Sequence, residues 1–361
     1  MNHLRCTALL LAALLACTLA ACFGGGGGGQ TSSSRSQEQQ EEPDPNWPVA
    51  IGDIRVAEKP ERIVSLSPAL TEVLYELGGG DRMAGVSTYC DFPADIGDLP
   101  DCGTAQSPDL DRLRELSPDV VFVSAPLTQP YTIALQQMGA EVVVLPRADS
   151  IDALETTYVT AATVLDGMQD GDANGRRVFG ALRARYDALT DAAGGIADRV
   201  SGIYLRAVPL LIATGDTFEG QLLKAIGVDN DAAAFTGWNY PADQAVNLYP
   251  DVIFYDSSID PAYFAGTQVY STTDAYLNGR LYPVDAVALE RQSARMFEEL
   301  ERMFSEAYPD VSVATPGTAD EPDAGQEGEA ASEQASDASL PQDAPSSGEM
   351  LDLDDATQVI E

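Results

Sequence analysis

The sequence has almost no histidine: the only one in 361 residues is His3, in an N-terminal segment expected to be removed. A mature chain without histidine has no Ser-His-Asp catalysis and no His-rich zinc or manganese site. Basic residues are scarce too, 20 Lys and Arg against 57 Asp and Glu for a net charge of -37. The basic clusters that nucleic acid requires are therefore missing, and nucleic acid is not expected as a partner. No Gly-Lys-Ser/Thr phosphate loop occurs; Gly78-Gly79-Gly80 follows a helical pattern and reads as its stop. Beyond the first twenty or so residues, no apolar run reaches the length of a membrane span. An enzyme built on carboxylates alone stays open, because Asp and Glu abound.

What is present begins with Arg5 and a short apolar run, Ala8 to Ala16, the signature of a secretory signal. It ends in Leu19-Ala20-Ala21-Cys22, which resembles a bacterial lipobox and makes Cys22 the expected lipidation site; Leu14-Leu15-Ala16-Cys17 is a weaker match. Six glycines and a Ser/Gln/Glu stretch follow, a composition that behaves as coil. Residues 1–21 are thus expected to be a signal peptide and 22–46 a lipidated tether holding the folded part about 25 Å from a membrane. At the other end, residues 311–361 carry many acids and no Lys or Arg, the composition of an acidic disordered tail.

Between these ends, strand and helix patterns alternate. Arg62 to Leu66 reads as a buried strand and Ser67-Pro68 as the start of a helix that runs through Thr71 to Leu77. Strands are expected at Met83 to Ser87, Val120 to Ser124 and Glu141 to Leu145, with helices at Asp109 to Leu116 and Tyr131 to Met138. Two helices, Ile151 to Leu165 and Ala173 to Ala192, interrupt the alternation. It then resumes with strands at Gly202 to Arg206, Leu210 to Thr214, Val252 to Tyr255 and Leu281 to Val284, and helices at Glu219 to Ile226, Asp243 to Leu248 and Ala288 to Ala307. Such alternation implies α/β architecture with parallel sheets.

The halves echo one another. Asp111 to Phe122 (DRLRELSPDVVF) matches Asp243 to Phe254 (DQAVNLYPDVIF): a helix opened by Asp, a Pro-Asp stop, then a buried strand. Two copies flanking a helical connector imply two Rossmann-like lobes, residues 47–148 and 200–310, joined by connecting helices over 149–199, with a ligand cleft between the lobes.

Three segments carry a family resemblance: Arg62 to Glu72 (RIVSLSPALTE), Gly85 to Pro93 (GVSTYCDFP) and the Pro-Asp-Val-Val motif. Together they are similar to the substrate-binding proteins of ABC importers for cobalamin, ferric siderophores and haem. The resemblance covers about Arg62 to Pro309. It implies two lobes on one rigid backbone helix, little closure on ligand, no catalysis, no cofactor beyond the metal chelate carried as cargo, and a monomer. Permease and ATPase subunits are the implied partners. Asp111 and Asp243 then occupy the positions that salt-bridge the permease. Tyr89, Trp238, Tyr240 and Arg291 are the ligand-contact candidates, on loops that follow strand ends. Gly103-Thr104-Ala105-Gln106 stands where cobalamin binders tend to carry an aromatic, so a siderophore or haem, with Tyr89 as iron ligand, remains the alternative cargo. Outside the cell, Cys90 and Cys102 are expected to pair as a disulfide beside Tyr89. Readings from other classes are a carboxylate-based surface hydrolase and an anchored adhesion module.

Overall fold

A computed structural model describes residues 44–314. Cys22, the signal, nearly all of the tether and the tail from residue 315 lie outside the described residues. The first lobe opens with a hairpin, β1 (Val49–Ile51) and β2 (Ile54–Val56). β3 (Ile63–Ser65), α1 (Pro68–Glu76) and β4 (Met83–Val86) follow, then a two-residue pair, β5 (Gly103–Thr104) and β6 (Ser107–Pro108). α2 (Leu110–Leu116), β7 (Val120–Val123), α3 (Gln129–Gln137) and β8 (Glu141–Val144) complete it. The sheet order is β4-β3-β7-β8, all parallel. β7, Val-Val-Phe-Val, is buried at every position, as a central strand covered on both faces must be. α1 starts where expected: the Ser67 side chain accepts from the Leu70 N–H and Pro68 occupies the first turn.

α4 (Ile151–Asp166) and α5 (Asp170–Gly194) connect the lobes. α5 begins beside the first lobe, where Asn174 donates to the Leu77 carbonyl at 2.9 Å, and ends against Gly227 of the second. With 25 residues it spans about 37 Å and is the expected backbone helix. The second lobe contains β9 (Ser201–Ala207), β10 (Leu211–Ile212), α6 (Phe218–Ala225), β11 (Asp229–Asn230), β12 (Val252–Asp256), the short helices α7 (Ala262–Gly266), α8 (Gln268–Ser271) and α9 (Asp274–Leu277), and β13 (Leu281–Val284). α10 (Ala286–Glu290) and α11 (Ala294–Ala307) close the fold. Here β9, β12 and β13 run parallel and β11 joins β9 in the same sense.

The expected architecture of two α/β lobes on a long helix is present, with three local departures. β10 is antiparallel to β9, because only a short turn separates them, too little chain for a parallel crossover. The helix expected over Ala288 to Ala307 is two, broken at Gln292, whose φ of 58° no helix accommodates. Asp243 lies in a 3-10 turn over Ala242–Asn247, not an α-helix.

The repeated Pro-Asp has a structural purpose in both lobes. Asp119 accepts from the backbone N–H groups of Glu61 and Arg62 at 2.8 Å each, and Asp251 accepts from the Ser201 N–H at 2.8 Å. Each carboxylate clasps the start of its strand to the start of the neighbouring one, in matching registers: Val120 beside Ile63, Val252 beside Gly202.

One large apolar core runs through both lobes, from Ile63 and Phe122 of the first sheet, across Tyr158 and Phe179 of the connecting helices and Phe297 of α11, to Tyr204 and Phe254 of the second. Phe179 sits 5.2 Å from Tyr158 and 6.3 Å from Phe297, ring to ring. Smaller cores cover the outer face of each sheet.

The expected disulfide is not formed. Cys90 packs against the shared core, its sulfur 3.2 Å from the Thr71 hydroxyl, whereas Cys102 lies in the outer core on the other face of the sheet. Burial pushes both thiols up, Cys102 to about 12. In native, unreduced protein, a thiol reagent should therefore label Cys90 slowly and Cys102 only on unfolding. Cys90→Ser should remove the slow native phase; a native phase that survives would place the reactive thiol elsewhere.

Candidate functional site

All the parallel strands end on the same side of their lobes, and the loops beyond them face each other across a cleft. Ser67 and Ser124, after β3 and β7, line a cavity of ≈ 130 Å³ with Arg147, Glu290, Arg291 and Gln292. Strand order reverses between β3 and β7, the usual position for a ligand in an open α/β sheet. A second cavity of ≈ 380 Å³, lined by Arg147, Arg206, Leu211, Glu219, Trp238 and Glu290, opens toward the other lobe. Arg147 and Glu290 border both. A larger concavity, ≈ 1000 Å³, lies at the opposite end of the first sheet, where Arg62, Asp119 and Glu141 mark strand starts; it is open and lined mainly by polar residues.

The cleft walls are cross-linked. Gln292 donates to the Ala148 carbonyl at 2.7 Å and accepts from its N–H at 2.9 Å, and Arg147 donates to the Glu290 carbonyl at 2.6 Å. Arg147 also pairs with Glu219, a buried carboxyl whose burial pushes its pKa up. Arg206 holds both Glu290 and Asp256.

Below the cleft, α1 presents Glu72, 1% exposed, to the segment leading into α11. It accepts from Arg295 at 2.5 and 3.1 Å and from the Ser293 hydroxyl at 2.6 Å. One turn on, Glu76 accepts from the Ala294 N–H at 2.8 Å and the Tyr158 hydroxyl at 2.5 Å; burial raises its pKa.

Among the expected contact residues, Tyr89 and Arg291 are brought together. Arg291 donates to the Tyr89 carbonyl at 3.3 Å and to Asp91 at 3.2 Å, and its Nε lies 3.6 Å from Glu72. Tyr89 is 69% exposed at the rim. Trp238, half-buried, stands on the opposite lobe with φ 62°, edge-on to Tyr204 at 6.1 Å. The Tyr204 hydroxyl behind it is buried without a hydrogen-bond partner among the described residues, and burial pushes its pKa up.

Tyr240 does not belong to this group. It is buried in the outer core of the second lobe, 4.8 Å from the Phe235 ring, because the left-handed backbone at Trp238, φ 62°, breaks the alternation that would keep residues two apart on one side. Asp111 and Asp243 are exposed, and their helical turns each feed back to the start of a strand. Both acids therefore lie at the cleft end of their lobes. Asp109 caps α2, leaving Asp111 in its first turn, 2.6 Å from Arg114.

Arg147, Arg206, Glu219 and Glu290 were not singled out by the sequence pattern. The available signal was position: Arg147 follows β8 by three residues and Arg206 nears the end of β9, in a chain with few cations.

A family model described as periplasmic binding protein matches residues 63–288. An ABC transporter substrate-binding lipoprotein of Bacillus subtilis, itself uncharacterised, is 26% identical over 269 residues, 72% of this chain and 83% of that protein. A cobalamin-binding protein of Halobacterium salinarum is 26% identical over 263 residues, 69% of this chain and 70% of its own length. A periplasmic haem-binding protein of Vibrio cholerae superposes with a TM-score of 0.61 at 20% identity, covering 69% of this chain and 99% of that structure.

Proposed function

Because the chain belongs to the periplasmic binding protein family, we propose that it captures a corrinoid or related metal chelate in the interlobe cleft and delivers it, chemically unchanged, to the permease of an ABC importer. The observation that carries this reading is the cleft itself. Aromatic rings stand on either side, Tyr89 at one rim and Trp238 on the facing lobe, over a floor of polar groups held by ion pairs. Flat, polarisable faces between rings and polar edges near fixed dipoles suit a macrocyclic chelate. A ferric siderophore or haem, bound through the same walls, is the alternative cargo, favoured by the likeness to the haem-binding structure.

Extracytoplasmic residence with a lipid on Cys22 is part of the same proposal. It is supported by the signal and lipobox pattern and by the lipoprotein among the relatives. Asp111 and Asp243 are proposed to meet the permease.

Thermal unfolding with cyanocobalamin, cobinamide, haemin and ferric siderophores in turn tests the proposal. A cognate ligand at a hundred times its Kd adds about 2.7 kcal/mol, raising the midpoint of a domain this size by about 5 to 10 °C. A shift with haemin or a siderophore alone would keep the class and change the cargo. No shift with any of them would remove the chelate-binding reading.

A further inference from the structure

Three arginines reach the cleft walls, and each already holds a carboxylate: Arg147 with Glu219, Arg206 with Glu290 and Asp256, and Arg291 with Asp91. Four carboxylates thus face three guanidinium groups, inside a chain of net charge -37. Resting on the reading above, we infer that the cleft selects a chelate whose polar periphery is uncharged and amide-bearing, and discriminates against one that presents carboxylates.

The physical reason is the cost of exchanging partners. A ligand carboxylate that reaches Arg147 or Arg206 must sit beside acids that cannot leave. Glu219 is buried on α6 and Asp256 is buried at the end of β12, so either would be stranded beside the incoming charge. Like charges forced together across an interface cost several kcal/mol. An amide breaks nothing. Its N–H groups donate to free lone pairs on Glu290, about a third exposed, and its oxygen accepts from spare N–H groups of Arg147, about half exposed.

The test compares affinities of the wild-type protein, by calorimetry at low and high salt, for cyanocobalamin, cobinamide, a corrinoid of the same ring with its amides hydrolysed to carboxylates, and haemin. The amide corrinoids should bind about a hundredfold more tightly than the carboxylate corrinoid, with the gap narrowing as salt rises. Equal or tighter binding of the carboxylate corrinoid, or of haemin, would overturn the inference while leaving the carrier reading in place. Binding of none would overturn both. Glu290→Gln removes one fixed charge between Arg147 and Arg206, so the preference for amide over carboxylate should fall by about tenfold. An unchanged preference would overturn its assignment to this network.

Discussion

Replacing Asp111 and Asp243 together by arginine is expected to stop uptake of the ligand by whole cells and to leave its affinity for the purified protein unchanged. Both acids are exposed at the cleft end of their lobes, one per lobe, and neither lines a cleft cavity. The Asp111 side chain is 92% exposed; its pairing with Arg114 is a surface i,i+3 contact, of a kind that contributes little to folding. Reversal therefore disturbs the fold little. At a permease surface supplying arginines, as the family resemblance implies, it turns two attractions into two repulsions of several kcal/mol each. An initial uptake rate below about a hundredth of wild type follows. Wild-type uptake by the double variant would eliminate the docking role, leaving Asp111 as a helix-start charge worth about 0.3 to 1 kcal/mol and Asp243 as a surface acid in a 3-10 turn. Loss of ligand affinity as well would point to misfolding, which the thermal midpoint reports directly. Single reversals should be intermediate, since each lobe keeps one contact.

Glu72→Ala is expected to be the most destabilising single change in the lobe junction. The carboxylate is almost wholly buried and receives Arg295 bidentately, Ser293, and Arg291 at longer range. Its removal leaves the Arg295 guanidinium and the Ser293 hydroxyl inside the fold without their acceptor and takes a nearby counter-charge from Arg291. Breaking one side of a buried ion pair costs about 3 to 5 kcal/mol, a fall in thermal midpoint of about 10 °C here. Arg291 also fastens the Tyr89 loop through Asp91 and the Tyr89 carbonyl, so ligand affinity should fall with stability. Removing the other partner as well, in Glu72→Leu with Arg295→Met, should restore much of the loss, because an apolar pair of similar volume avoids the stranded charge. If Glu72→Ala costs less than about 1 kcal/mol, the junction is held by apolar packing alone.

Local pattern carried much of this fold. The β3-α1 unit was legible because Ser67 and Pro68 announce a helix start after a buried strand, and the lobe pairing because Pro-Asp recurs to clasp neighbouring strands. What escaped was decided by tertiary neighbours. Tyr240 has the chemistry of a binding-site aromatic, and only the packing of Phe235 against it shows a core residue. Cys90 and Cys102 are close in sequence, yet they pack into cores on opposite faces of the first sheet. The break at Gln292 is paid for by two hydrogen bonds to Ala148, 144 positions away. The same holds for Arg147 and Glu219, 72 positions apart, where neither residue announces the other. Of the contact candidates, Tyr89, Trp238 and Arg291 could be placed near strand ends from the sequence alone; the residues they touch in the fold could not.

The apolar core shared by the lobes bears on the timing of capture. A wide swing would bare Tyr158, Phe179 and Phe297, each burying about 150 to 250 Å², at about 25 cal/mol per Å². Exposing even one ring costs about 4 to 6 kcal/mol, which keeps a gaping conformer below roughly one molecule in a thousand. Encounter then does not wait for a jaw to shut: association is set by diffusion and by the orientation of the ligand at the rim, and differences in affinity among ligands are expressed as residence time.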